Sequence, residues 1–239
     1  MTLGAERLVE GRAPQRSERL ARVFLVLFWC AVVADLGCLA ADLSLGHTLA
    51  KPLLMPLLAL HVIVRGGPRL QVAALLFGCG GDVLLLLDAD PAFLAGMASF
   101  AAGHVCYLLL FRQQRAPRAR AAWTAGVYGV VLVALVFLLW PGLPADLRIP
   151  VAGYSLLLTA MACGSTRLGP VAGVGGALFL LSDTLIATGI ADWPQLPRPD
   201  LWIMLTYDLA QFLLTLGLLD ALRTRAAATE PREASTVTS

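Results

Sequence analysis

Long apolar runs separated by short polar stretches dominate the chain. A helix needs about 20 mostly apolar residues to cross the hydrocarbon core of a bilayer. Eight runs reach or approach that length, so the pattern predicts an all-α, polytopic membrane bundle of eight transmembrane helices. Their predicted bounds are 20–41, 49–64, 70–87, 91–111, 121–140, 148–164, 170–190 and 200–222.

The polar ends complete the predicted domain organisation. Residues 1–19 form an Arg-rich tail, residues 20–222 the eight-helix transmembrane domain, and residues 223–239 a second polar tail. Neither tail carries enough apolar side chains to build a core, so both are expected to be disordered.

The composition supports the membrane assignment. Hydrophobic residues make up 58% and charged residues 14% of the 239 positions, and the mean hydropathy is +0.76. Soluble domains carry about 25% charged residues, which argues against a soluble globule and against a nucleic-acid-binding protein. Arginine fills every basic position except Lys51, as in GC-rich bacterial genes, so we expect a bacterial plasma-membrane protein.

The basic residues predict the orientation of the bundle. With eight spans, both tails lie on the same side of the membrane, and most arginines fall on that side. The positive-inside rule therefore places both termini in the cytoplasm. The cytoplasmic set is Arg7, Arg12, Arg16, Arg19, Arg22, Arg65, Arg69, Arg112, Arg115, Arg118, Arg120, Arg167, Arg223, Arg225 and Arg232, against Lys51, Arg148 and Arg198 outside.

The two halves of the chain resemble each other. Gly81-Asp82-Val83 in the third span matches Ser182-Asp183-Thr184 in the seventh, and both follow glycine runs. The fourth span continues with Ser99-Phe100 and His104, and the eighth with Thr206-Tyr207 and Gln211. Four spans per half predict a parallel 4+4 repeat around an axis along the membrane normal. Asp82 and Asp183 would then lie at matching depths.

Four aspartates fall inside the predicted spans, where charged groups are costly and usually functional. For Asp35 and Asp208 we favour a hydrogen bond to a neighbouring helix. Asp82 and Asp183 lie in the outer halves of their spans, with no basic residue at that depth to neutralise them. Two carboxyl groups in such surroundings, one protonated and one ionised, can act as a general acid and base.

Other polar residues near these aspartates are candidates for substrate binding. Lys51 opens the second span at its outer end and can either snorkel to the interface or meet a phosphate. Tyr154 and Tyr207 lie too deep for an interfacial belt, so each hydroxyl needs a partner. His104 shares a helix face with Tyr107 in an inner half. Pro56 should free backbone carbonyl groups of the second span.

Metal and nucleotide chemistry find little support. The three histidines lack the paired spacing of zinc ligands, so we predict no metal. The five cysteines lie within spans without a C-x-x-C pair, and we expect neither a disulfide nor a metal site from them. The glycine runs lie mid-membrane without a following Lys-Ser/Thr, as expected for close helix packing rather than phosphate binding.

Taken together, these residues resemble the YhhN-like lysoplasmalogenase family of eight-span membrane proteins. The resemblance covers the chain from about the second span to the eighth. Its pieces are Lys51-Pro52, Gly81-Asp82, His104 with Tyr107, Pro150 with Tyr154, Leu181-Ser182-Asp183, Thr206-Tyr207 and Ala210-Gln211. Asp35 and Asp208 do not fit the pattern.

The resemblance implies an ether hydrolase that cleaves the vinyl ether bond of lysoplasmalogens. The products would be a fatty aldehyde and glycerophosphoethanolamine or glycerophosphocholine. Asp82 and Asp183 match the acidic pair of the family, and the lysophospholipid would contact a set of polar side chains. That set is Lys51, His104, Tyr154, Ser182, Tyr207 and Gln211. The scheme needs no cofactor.

Two alternatives stay open. Paired intramembrane aspartates in a repeat also suit a proton-coupled transporter or a lipid-translocating protein. A ceramidase-like amidohydrolase on a related bundle is a second enzyme alternative, but it needs a metal.

Overall fold

Helices form every regular element that the computed structural model describes, which covers residues 3–87, 89–113 and 118–236. Eight α-helices follow one another, with a 3-10 turn at Thr166–Leu168 between the sixth and seventh. They are α1 (Leu3–Ala40), α2 (Ser44–Val64), α3 (Arg69–Leu85), α4 (Asp90–Phe111), α5 (Arg118–Leu139), α6 (Arg148–Ser165), α7 (Pro170–Ile190) and α8 (Pro199–Thr236).

These helices confirm the predicted all-α membrane fold. Seven of them are long and apolar enough to cross a membrane. The remaining helix, α3, has 17 residues and is about 26 Å long, somewhat shorter than a hydrocarbon core of about 30 Å. α2 begins five residues before the predicted span, and α1 and α8 extend beyond theirs. The bounds of the tails, 1–19 and 223–239, stay predictions.

Apolar side chains cover much of the surface. Val33, Phe137 and Ile149 are 69%, 77% and 73% exposed. Soluble proteins rarely expose so many large apolar side chains, whereas a bilayer solvates them. The chain is therefore an integral membrane protein.

The chain divides into two compact units. The first, Met1–Tyr107, holds α1 to α3 and most of α4; the second, Leu108–Ser239, holds the end of α4 and α5 to α8. In the first unit α1 packs on α2 and α2 on α3. In the second, α5 packs on α6, α6 on α7 and α7 on α8. The 4+4 repeat stays a prediction.

Glycines set the close packing within each unit. A Cβ on Gly81 would lie 2.5 Å from the ring of Phe100, so α3 and α4 approach closely there. A Cβ on Gly175 would lie 2.8 Å from the backbone nitrogen of Leu214, which brings α7 against α8. The glycine runs therefore serve helix packing, as the sequence indicated.

Backbone conformation also fixes where α7 begins. Gly169 adopts a φ of +116°, which a residue with a side chain rarely adopts, and it ends the 3-10 turn. Pro170 follows at the first helical position, where its missing N–H costs nothing. This start places Asp183 in the second half of α7.

Candidate active site

Asp183 and Tyr154 meet within the second unit. Both side chains are half-buried, and the Tyr154 hydroxyl donates a hydrogen bond to Oδ2 of Asp183. Tyr154 comes from α6 and Asp183 from α7, two helices that pack together. The deep tyrosine therefore has a carboxylate as its partner. A phenol that donates to a carboxylate stabilises the ionised form and fixes its orientation.

The α7–α8 interface holds three further predicted residues. Ser182 Oγ donates to the carbonyl oxygen of Ile203 at 3.0 Å. The ring of Tyr207 packs edge-on against Phe179, with 5.4 Å between the ring centroids. Gln211 Nε2 donates to the Tyr207 hydroxyl at 3.4 Å, one helical turn along α8. Ser182, Tyr207 and Gln211 are all buried.

Asp208 is a second aspartate within the predicted spans of this unit, besides Asp183. Its side chain is fully buried and lies one residue after Tyr207. Tyr207 is level with Phe179, and Ser182 with Ile203, so Asp208 lies about one and a half helical turns, roughly 8 Å, from the level of Asp183. The apolar run around Asp208 indicates its depth, but nothing in the sequence favours it over the other aspartates. It is a candidate that the resemblance did not supply.

Asp82 lies in the last turn of α3, in the first unit. It is 2% exposed, and it follows Gly81, which packs against Phe100 of α4. It lies nearer to the end of its helix than Asp183 does, because α3 ends at Leu85.

Lys51 lies on a stretch of α2 that faces the region of Asp82. The Cys79 thiol, one turn before Asp82, donates to the carbonyl oxygen of Pro52 at 3.5 Å. That carbonyl is free because Pro56 has no N–H to donate to it. The expectation that Pro56 would free a carbonyl is confirmed. Lys51 itself is half-exposed and makes no hydrogen bond or ion pair with the described residues.

His104 lies deeper in the first unit. It is 1% exposed, on the same face of α4 as the buried Tyr107. The contacts of Gly81 with Phe100 and of Gly103 with Ala74 show that α3 and α4 run antiparallel. By that register His104 lies about 12 Å deeper than Asp82 along the helix axes. The structure therefore does not bring these two residues to one level.

A histidine–aspartate pair was not predicted. His47 Nδ1 and Asp35 Oδ1 are 2.8 Å apart, and the Asp35 carboxyl group is fully buried. This confirms that Asp35 makes a hydrogen bond to a neighbouring helix. One feature of the sequence could have predicted this pair. Asp35 and His47 are twelve residues apart across the short α1–α2 turn, which brings the end of one helix beside the start of the next.

Neither metal ligation nor disulfide formation marks the described residues. They contain no group of three histidine, cysteine, aspartate or glutamate side chains able to hold a metal ion. All five cysteines are free thiols.

Comparison with known proteins gives one consistent family. The model of the YhhN family matches residues 46–218. "Lysoplasmalogenase TMEM86B" of Sus scrofa is 37% identical over 174 residues, which cover 68% of this chain and 72% of the pig protein. "Lysoplasmalogenase" of Mycobacterium tuberculosis is 34% identical over 191 residues, 72% of this chain and 71% of its own. No solved structure matches the chain.

Proposed function

The chain belongs to the YhhN family, and we propose that it is a lysoplasmalogenase, an ether hydrolase, as the names of its relatives indicate. It would cleave the vinyl ether bond of a lysoplasmalogen to release a fatty aldehyde and glycerophosphoethanolamine or glycerophosphocholine. The relatives are named as enzymes, so the transport alternative is not favoured. We also propose that the membrane is a bacterial plasma membrane, which the mycobacterial relative and the arginine-rich composition support.

The chemistry requires an acid and a base. A protonated carboxyl group transfers its proton to the β-carbon of the vinyl ether, which leaves an oxocarbenium ion. Water adds to that ion as a carboxylate takes up the water's proton. The protonated base then gives that proton to the glycerol oxygen as the carbon–oxygen bond breaks, and the hemiacetal hydroxyl returns a proton to the first carboxylate. Aldehyde and alcohol separate, and both carboxyl groups regain their starting states. Aspartates held in different surroundings can divide these roles.

We assign the base to Asp183 and the acid to Asp82. The hydrogen bond from Tyr154 to Asp183 is the observation that carries the proposal, because a donor at Oδ2 favours the ionised carboxylate. Asp82 is buried, and burial in a low dielectric favours the neutral carboxylic acid. These assignments rest on the surroundings of each aspartate within its own unit.

The remaining predicted residues would bind the substrate. Lys51 has an amine that no described residue engages, which suits the substrate phosphate. Tyr207, Gln211 and Ser182 supply polar atoms at the α7–α8 interface. His104 lies deeper and, like Tyr154, would supply a further hydrogen bond to the substrate. None of these roles needs a cofactor.

Aldehyde release from a purified lysoplasmenyl lipid tests the proposal. The chain in detergent micelles should release aldehyde, and Asp82→Asn and Asp183→Asn should each lower kcat by about 10²–10⁴-fold, the usual contribution of a general acid or base. Asp146→Asn is the matched control, because Asp146 is exposed in the loop before α6. Absence of aldehyde release by the unaltered chain, or full release by Asp82→Asn or by Asp183→Asn, would overturn the proposal.

A further inference from the structure

A crevice of about 410 Å³ opens in the second unit, away from Tyr154 and Asp183. It lies between the end of α4, the middle of α5 and the second half of α6. Neither Tyr154 nor any α7 residue lines it. Most of its lining is apolar, with Leu132 and Leu156 on its walls.

Two arginines mark one end of the crevice. Arg112 follows α4 and Arg167 follows α6, and both helices end on the same side because α5 runs antiparallel between them. Both side chains are exposed, and neither makes a hydrogen bond or ion pair with any residue in the described ranges. No acidic residue lines the crevice. Two fixed positive charges beside an apolar wall call for an anionic amphiphile.

Hydroxyl groups lie between the arginines and the leucines. Thr159 is 4% exposed, and its Oγ1 has no hydrogen-bond partner among the described residues. It lies about 12 Å along α6 from Arg167, and Leu156 is deeper by almost another turn. Tyr128 contributes a second hydroxyl from α5. The order of cation, hydroxyl and apolar wall matches the phosphate, ester and acyl chain of a glycerophospholipid.

We propose that this crevice binds an anionic diacyl glycerophospholipid of the leaflet on the Arg-rich side. A zwitterionic headgroup is disfavoured because its ammonium group would find no acidic partner. A reacting lysoplasmalogen is also disfavoured. Its vinyl ether lies only a few atoms from the phosphate, whereas Tyr154 lies about 20 Å along α6 from Arg167. The crevice is thus a lipid site separate from the proposed chemistry.

Native mass spectrometry of the purified full-length chain tests this proposal. Phosphatidylglycerol and phosphatidylcholine with identical acyl chains are the probes, and no lysoplasmalogen is present. The unaltered chain should retain phosphatidylglycerol in preference to phosphatidylcholine. Arg112→Gln with Arg167→Gln should weaken phosphatidylglycerol binding about tenfold or more, because charge-assisted hydrogen bonds to the phosphate are lost.

A matched pair of glycine variants tests the location. A Cβ on Gly129 or on Gly126 would meet no protein atom within 4 Å, so the backbone at both positions has room for a side chain. Gly129 lines the crevice and Gly126 does not. Gly129→Leu should therefore abolish retention of phosphatidylglycerol, and Gly126→Leu should leave that retention unchanged. Thermal unfolding verifies that each variant is folded.

Three outcomes would overturn the proposal. They are equal retention of the two lipids by the unaltered chain, an unchanged preference for phosphatidylglycerol in the double arginine variant, and unchanged retention of phosphatidylglycerol by Gly129→Leu. Because the measurement uses no substrate, it succeeds or fails independently of aldehyde release.

Discussion

Tyr154 shows what one hydroxyl contributes to a candidate catalytic carboxylate. Tyr154→Phe keeps the ring and removes the donor to Asp183 Oδ2. A hydrogen bond to a charged group is worth about 1.5–3 kcal/mol, so we expect kcat/KM for aldehyde release to fall roughly 10–100-fold. Tyr128→Phe, in the same unit but outside the candidate site, is the control. Equal losses in the two variants would mean that Tyr154 has no specific role.

Asp35 supports the first unit rather than the chemistry. Its buried carboxyl group bonds to His47, so Asp35→Ala leaves the imidazole without its acceptor. We expect unfolding to become easier by about 1–3 kcal/mol, measured as a lower thermal midpoint at unchanged activity per folded molecule. Asp42→Asn is the control, because Asp42 is exposed at a φ of +57° that asparagine tolerates. A lower midpoint in the control alone would contradict this role.

The sequence identified which polar residues are out of place but not their partners. Asp82, Asp183 and Tyr154 are conspicuous because each lies deep in an apolar run. The hydrogen bond between Tyr154 and Asp183 joins residues 29 positions apart, and its formation depends on how α6 rotates against α7. The hydropathy pattern indicates how deep a residue lies in the membrane, but only weakly which way its helix is rotated. The contact could therefore not be predicted from the pattern.

Gly81 sets the spacing of α3 and α4 next to Asp82. Gly81→Ala places a methyl group about 2.5 Å from the Phe100 ring, so the ring or α3 must shift. Overpacking of this kind costs about 1–3 kcal/mol, so we expect a lower thermal midpoint and reduced aldehyde release through displacement of Asp82.

Gly37→Ala is the control for this substitution. A Cβ on Gly37 would meet no atom within 4 Å, and alanine favours a helix by up to about 1 kcal/mol. The control should therefore leave the midpoint unchanged or raise it. Equal midpoints for Gly81→Ala and the unaltered chain would show that α3 can move aside.

Whole-molecule features were the easiest to predict, because bilayer thickness imposes them. Helix lengths follow from the apolar runs. Both ends of α4 and of α7, and the start of α8, agree with the predicted bounds to within one residue. The end of α3 at Leu85 was missed, since Leu86 and Leu87 continue the apolar run although the helix has ended. Hydropathy responds to side chains, whereas helix ends depend on backbone hydrogen bonds.

The arginine distribution predicts that both termini face the cytoplasm, and reporter fusions test it. A fluorescent protein that folds only in the cytoplasm, fused after Arg225, should fluoresce, and one fused after Leu196 between α7 and α8 should not. Alkaline phosphatase, which is active only outside, should give the opposite pattern at the same two positions. Fluorescence after Leu196 but not after Arg225 would mean that the bundle is inverted. Fluorescence at both positions would mean that α8 does not cross the membrane. An inverted bundle would also move the arginine end of the lipid crevice to the other leaflet, because Arg112 and Arg167 share the side of Arg225. Arg225 donates to the carbonyl oxygen of Gln113, beside Arg112.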